Sequence, residues 1–184
     1  MKMSCLALVL AAASPAAAAD LPQCPAPLAY ADERAELQEA IRTARNESAG
    51  RLLSRELDAL RRIAPDRRAQ RLLDTGLGAL AIGDLDTARG SLDALVAYCP
   101  DYATGWHARA GLRIRERAFE RALADLDRAT DIAPDLGPAL AARAVVLWRL
   151  GRYDAAQAAL TRALKVNPWL PERRLAAILP GAAV

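Results

Sequence analysis

Along the last two thirds of the chain, apolar, small and turn-forming residues recur at a fixed interval of 34 positions. Pro100, Pro134 and Pro168 keep that spacing, as do Ala88, Ala122 and Ala156, and Leu92, Leu126 and Leu160. So do the bulky trio Leu85, Phe119 and Tyr153, the trio Leu72, Trp106 and Leu140, and the small trio Gly76, Ala110 and Ala144. Six columns in one register, each with its own residue size, mark an internal repeat rather than the accidents of an Ala-rich chain. Within each period the pattern predicts a first helix of about fourteen residues, a short turn, and a second helix of about fifteen. The turn falls at Gly83 and Gly151, where glycine tolerates positive φ, and at Arg117 in the middle period, whose turn is therefore expected to be looser. The second helix stops ahead of each proline, which has no N–H and holds its predecessor away from the α region. Ala88, Ala122 and Ala156 allow the two helices to approach closely, while Leu92, Leu126 and Leu160 fill the space between neighbours. A single pair cannot cover its own apolar faces, so the pairs must stack.

The periods run over residues 69–102, 103–136 and 137–170. Residues 31–68 read as a degenerate helical pair of the same kind, ending in the Ala-Pro-Asp that also appears at 133–135. Pro65 nevertheless lies 35 residues before Pro100, and Gly50 is two residues out of phase. Beyond the last period, Pro171 is placed to open a capping helix and tail, 171–184, with Leu175, Ile178 and Leu179 turned to the array and Glu172, Arg173 and Arg174 to water. Composition agrees: the 184 residues are 53% apolar and 26% charged, enough for a buried core, and the apolar set is mostly Ala and Leu. The fold class is all-α.

Residues 1–19, "MKMSCLALVLAAASPAAAA", carry Lys2, an apolar run from Leu6 to Ala13, and small residues before Asp20, the pattern of a secretory signal peptide cut after Ala19. The run is shorter than the roughly 20 residues that span a bilayer, and no later segment is apolar enough to do so. A Pro-rich leader, 20–30, follows. Export, in a bacterium with a GC-rich and hence Arg- and Ala-rich coding bias, makes the periplasm the expected location. An oxidising compartment allows Cys24 and Cys99 to form one disulfide; the alternative is two free thiols. A bridge over this loop would stabilise the fold by about 4 kcal/mol in the chain-entropy model.

The 34-residue period and the run "LGRYDAAQAALTRALKVNP" at 150–168 resemble tetratricopeptide repeats. The third period is the nearest to the family pattern, and the middle one departs from it at Arg113 and Arg117. The resemblance implies a right-handed superhelical array of antiparallel helix pairs, a TPR-type α-solenoid, whose first helices line a concave groove. Carried onto this sequence, the groove positions include Leu73, Leu77, His107, Ile114, Arg115, Val145, Trp148 and Arg149. The Lys and Asn with which chaperone-binding relatives clamp a terminal carboxylate are missing from these columns. The family also implies an ion pair between Arg109 and Asp125, midway along the two helices of the second period, while Arg143, facing Ala159, must turn to Asp127 or Asp131. Trp106 sits in a packing column and Trp148 in a groove column; burial of Trp148 against the leader or the preceding unit is the alternative.

No catalytic constellation is present: His107 is the sole histidine, and no nucleophile–base set, phosphate loop or metal-ligand cluster accompanies it. No cofactor or metal is expected. Loss of Lys2 with the signal leaves 24 basic against 22 acidic side chains, too even a balance for a polyanion partner. The Arg-rich stretch 51–71 lacks interleaved aromatic residues and reads as a solvated face, or as a contact for an acidic partner or lipid surface, not for nucleic acid. The function expected is an exported, non-catalytic scaffold that holds a protein or peptide partner in the groove. A structural subunit docking or self-associating through its outer face is the alternative, and the oligomeric state is left open.

Overall fold

A computed structural model describes residues 24–26 and 30–179 of the chain, and among these the only regular elements are helices. The signal segment, with residues 20–23, 27–29 and 180–184, lies outside the described residues. The helices are α1 (Ala31–Arg42), α2 (Glu47–Arg61), α3 (Arg67–Ile82), α4 (Leu85–Tyr98), α5 (Ala103–Arg115), α6 (Phe119–Ile132), α7 (Gly137–Arg149) and α8 (Tyr153–Val166), followed by a 3-10 turn, Pro171–Ala177. Three antiparallel pairs, α3 with α4, α5 with α6 and α7 with α8, stack in chain order.

The repeat columns account for the close packing. Ala88, Ala122, Ala156, Leu92, Leu126 and Leu160 are all buried. At Gly76 a Cβ would lie only 2.6 Å from Leu92 Cγ, which shows how closely the backbone of α3 approaches α4. Asp66 and Asp84 cap α3 and α4, accepting hydrogen bonds from Ala69 N at 2.8 Å and Thr87 N at 3.1 Å. Gly83 and Gly151 take positive φ, 82° and 72°. Arg117 does the same, at 58°, although it carries a side chain. Its turn is not looser, contrary to the sequence expectation. Ala118 N donates to Arg113 O at 2.8 Å, matching the 2.9 Å bonds from Asp84 N to Ala79 O and from Arg152 N to Leu147 O. Helix-pair packing on either side dictates the turn, and Arg117 bears a strain of about 1 kcal/mol that glycine would not.

The N-terminal hairpin, α1 and α2, does not stack on α3 as a further repeat. It folds back along the edge where each pair joins the next. Arg61, at the end of α2, accepts through its carbonyl from Tyr102 Oη at 3.1 Å and Thr104 Oγ1 at 2.9 Å, and donates to Asp135 Oδ2 at 2.7 Å. Ser54 Oγ accepts from Asn167 Nδ2 at 2.8 Å, and Glu47, at the start of α2, pairs with Arg173 at 2.5 Å. A fifteen-residue helix is about 22 Å long, and helix layers lie about 10 Å apart, so α2 has the length to touch three successive junctions. Gln38 Nε2 on α1 reaches Val166 O at 2.6 Å.

Gly50 is central to this docking. It lies inside α2, not in a turn, and the Trp169 indole rests on it: an added Cβ would fall 2.1 Å from Trp169 Cδ1. The indole N–H donates to Ile41 O at 2.9 Å. At its base the hairpin is held by a disulfide between Cys24 and Cys99, with Cα atoms 5.1 Å apart. The 3-10 turn packs on α7 and α8 and buries Leu175, and Leu179 just after it is buried in the same core cluster, but Ile178 is 58% exposed and Arg173 faces the hairpin, not open water. The element ends at Ala177, and Ile178 falls outside its register.

Gly50→Ala raises helix propensity in α2 by about 1 kcal/mol, yet its methyl displaces Trp169, so the hairpin should lose about 1–3 kcal/mol of docking. Amide exchange is expected to accelerate in α1 and α2 and to stay slow in α5–α8. Trp169→Ala should produce the same change, and the double variant should add little to either single one.

Candidate functional site

The exposed side of the first helices α3, α5 and α7 is the candidate site, and the hairpin divides it. Near the start of α5, Thr104 is hydrogen-bonded to α2. His107, one turn on, is largely covered, and burial, with the Arg62 guanidinium second, pushes its imidazole down to about 4. Ala141 on α7 is completely buried. Leu73 is buried too, in a cluster with Leu80, Ala108 and Leu112, and Leu77 packs against the same cluster. These two leucines therefore join α3 to α5. Leu73 is core and not free groove surface, contrary to the sequence expectation, because it is enclosed in the cluster that α3 shares with α4 and α5.

The far end of the face, where α5 and α7 terminate, stays open. Arg115 and Arg149 are exposed there, with Ile114, Val145 and Trp148 partly so. Ile114, Val145 and Trp148 rest against the core of the second and third pairs, and the Arg149 guanidinium lies 4.9 Å above the Trp148 ring. Trp148 is thus neither free nor fully buried: one side packs on the core and a cation covers part of the other. Trp106, in the packing column, is also partly buried; its indole N–H donates to Pro100 O at 2.9 Å, and Arg109 lies 4.8 Å over its ring. A cavity of about 410 Å³ opens between the two helix ends, lined by Ile114, Arg115, Arg117, Phe119 and Arg149.

Behind this face lies a buried charge network. Arg109 grips Asp125 with two hydrogen bonds, Nε to Oδ2 at 3.0 Å and Nη2 to Oδ1 at 2.8 Å, and its third nitrogen reaches Asp93 at 2.9 Å. Arg113 adds a further contact to Asp125 Oδ2 at 2.9 Å, so the residue that departs from the family pattern is a partner for the buried carboxylate. Arg143 donates to Asp127 at 2.6 Å. A buried carboxylate needs such compensation, and shared between two guanidiniums it fixes the spacing of α5 and α6. Among the described residues no group of three or more His, Cys, Asp or Glu is placed to hold a metal ion, and no helix is long and apolar enough to cross a membrane.

The hairpin contacts escaped the sequence reading, although two signals were present. Trp169 stands in the column that holds Asp101 and Asp135 elsewhere, and Gly50 falls where no turn of the period requires it. Each is out of keeping with its column, and the two meet.

Residues 137–168 match the sequence model of a family described as tetratricopeptide repeat. No curated protein matches the chain significantly. Among solved structures, it is similar to the TPR2B domain of yeast Sti1 in a pHsp70 complex, with a TM-score of 0.58 at 21% identity, covering 64% of this chain and 97% of that one. It is also similar to the first TPR of Spaghetti (RPAP3) bound to the HSP90 peptide SRMEEVD, with a TM-score of 0.58 at 20% identity over 61% and 94% of the two chains. The Arabidopsis OM64 TPR domain gives a TM-score of 0.56 at 20% identity over 58% and 88%. At these identities the likeness is one of fold.

Because His107 has an ordinary value near 6.5 when unfolded and about 4 when folded, the unfolded chain binds the extra proton between those values. Its contribution therefore lowers stability as pH falls from about 6.5 to about 4, and changes no further below that. Urea unfolding at pH 7.5 and 4.5 should show a smaller acid loss for His107→Gln than for the wild type.

Proposed function

We propose that this chain, which has the tetratricopeptide-repeat fold and matches the family's sequence model over residues 137–168, is an exported, non-catalytic scaffold that holds a protein or peptide segment on the open part of its concave face. One observation carries the reading: the hairpin covers the start of α5, yet the ends of α5 and α7 keep an uncovered aromatic, apolar and cationic surface around Trp148. A partly buried Trp beside Arg is the composition of an interface anchor, since both give large contact areas and Arg adds charge-assisted hydrogen bonds. The sequence of residues 1–19 supports export to the periplasm, and the Cys24–Cys99 bridge fits an oxidising compartment.

A second reading is a subunit that docks through its outer face, and Ile82, 82% exposed at the end of α3, favours it. Light scattering separates the two: a stable oligomer that protects Ile82 supports the second, and a monomer the first.

Affinity purification from the periplasmic fraction, with wild type and Trp148→Ala side by side, tests the main reading. Per folded molecule, the variant should recover at least about tenfold less partner, a loss of about 1.4 kcal/mol in binding, and it should melt somewhat lower because one side of the indole packs on the core. Equal recovery per folded molecule would remove Trp148 from the site, and absence from the periplasm would remove export.

A further inference from the structure

Arg117 is the residue on which the repeat pattern and the structure disagree. Its column requires left-handed backbone, both sibling repeats meet that need with glycine, and this one places an arginine there at φ 58°. The side chain so displayed lines the same cavity as Arg115 and Arg149. Arg115 and Arg149 occupy the last turns of α5 and α7, where the helix dipole alone would favour a cation. Arg117 lies directly after the C-cap of α5, where the conformation rather than the charge is what the column selects, so its guanidinium is an addition that the repeat does not need.

The acidic residues beside these arginines are engaged elsewhere. Glu116 binds Arg89, with contacts of 3.0 and 2.5 Å, and Glu120 pairs with Arg152 at 2.7 Å. Among the described residues, Arg115, Arg117 and Arg149 form no ion pair. Three guanidiniums thus meet at one concavity whose remaining lining is Ile114 and Phe119. Like charges gathered without a counter-ion favour an anion, and planar guanidinium forks match carboxylates two hydrogen bonds at a time. The apolar lining adds a preference for a hydrocarbon side chain beside that carboxylate.

We infer that this cavity binds an acidic segment of a protein partner, one in which Asp or Glu adjoins a bulky apolar residue. The inference rests on the groove reading above and specifies the chemistry of its partner. The site uses the ends of α5 and α7 and the α5–α6 turn, whereas the hairpin occupies the start of α5.

Random twelve-residue peptides displayed on phage, selected against the full chain, test it without a known partner. Enriched sequences should carry Asp or Glu next to Leu, Ile, Phe or Trp. Synthetic copies should lose about tenfold in affinity for each of Arg115→Gln and Arg149→Gln, and bind more weakly in 300 mM salt. Arg117→Gly provides a readout that a purely structural arginine would not: relief of the backbone strain should raise the melting temperature by about 3 °C while affinity falls about tenfold. Neutral or basic winners, no winner at all, acidic winners indifferent to the three substitutions, or preferential binding to phosphatidylglycerol vesicles would each overturn the inference. The Trp148 purification decides the groove reading separately, because its readout does not depend on the charge of the partner.

Discussion

The close approach of the two helices in each pair is the contact on which everything else depends. It requires a small residue on the first helix, Gly76, Ala110 or Ala144, at the level where Leu92, Leu126 or Leu160 projects from the second, and these leucines are essentially inaccessible to water. A larger residue in the small column would force the helices apart, and the apolar seam joining each pair to the next would open with them. The contact also sets the turn between the helices, which is why Arg117 adopts a conformation that suits glycine better. Local preference yields there to packing on both sides.

The second organising contact is long-range and largely polar. The hairpin is anchored at its base by the Cys24–Cys99 bridge and at its far side by Trp169 on Gly50, with Glu47–Arg173, Ser54–Asn167 and Arg61–Asp135 between junctions of the array. Repeat arrays are quasi-one-dimensional, since each unit touches only its neighbours. Here residues more than one hundred positions apart are in contact, so the first helices and the last repeat are stabilised together.

That closure also shapes the candidate site. With α2 beside the start of α5, the helix ends near Trp148 remain available, and the arginines there face solvent without acidic partners among the described residues. The buried Asp125 network lies behind them and serves a different purpose: its charges are satisfied within the protein, and it holds α5 against α6. The two sets of arginines come from one Arg-rich composition, and only their surroundings distinguish them.

The sequence by itself determined the helical class, the period, the positions of the three stacked pairs and their stops, because each follows from local steric rules repeated in register. It also placed Arg109 and Asp125 in a single unit, where the family resemblance implied their pairing, while the contacts of Arg109 with Asp93 and of Arg113 with Asp125 came from the structure. Tertiary structure decided what the period could not express: that residues 31–61 turn back along the array, that Gly50 is a seat for Trp169 rather than a turn, and that Leu73 is core. The physical reason is one of distance along the chain. Contacts within a repeat are encoded by neighbours a fixed number of positions apart, whereas the hairpin meets the last repeat through pairs with no common spacing, selected by shape and hydrogen bonding once the array has formed.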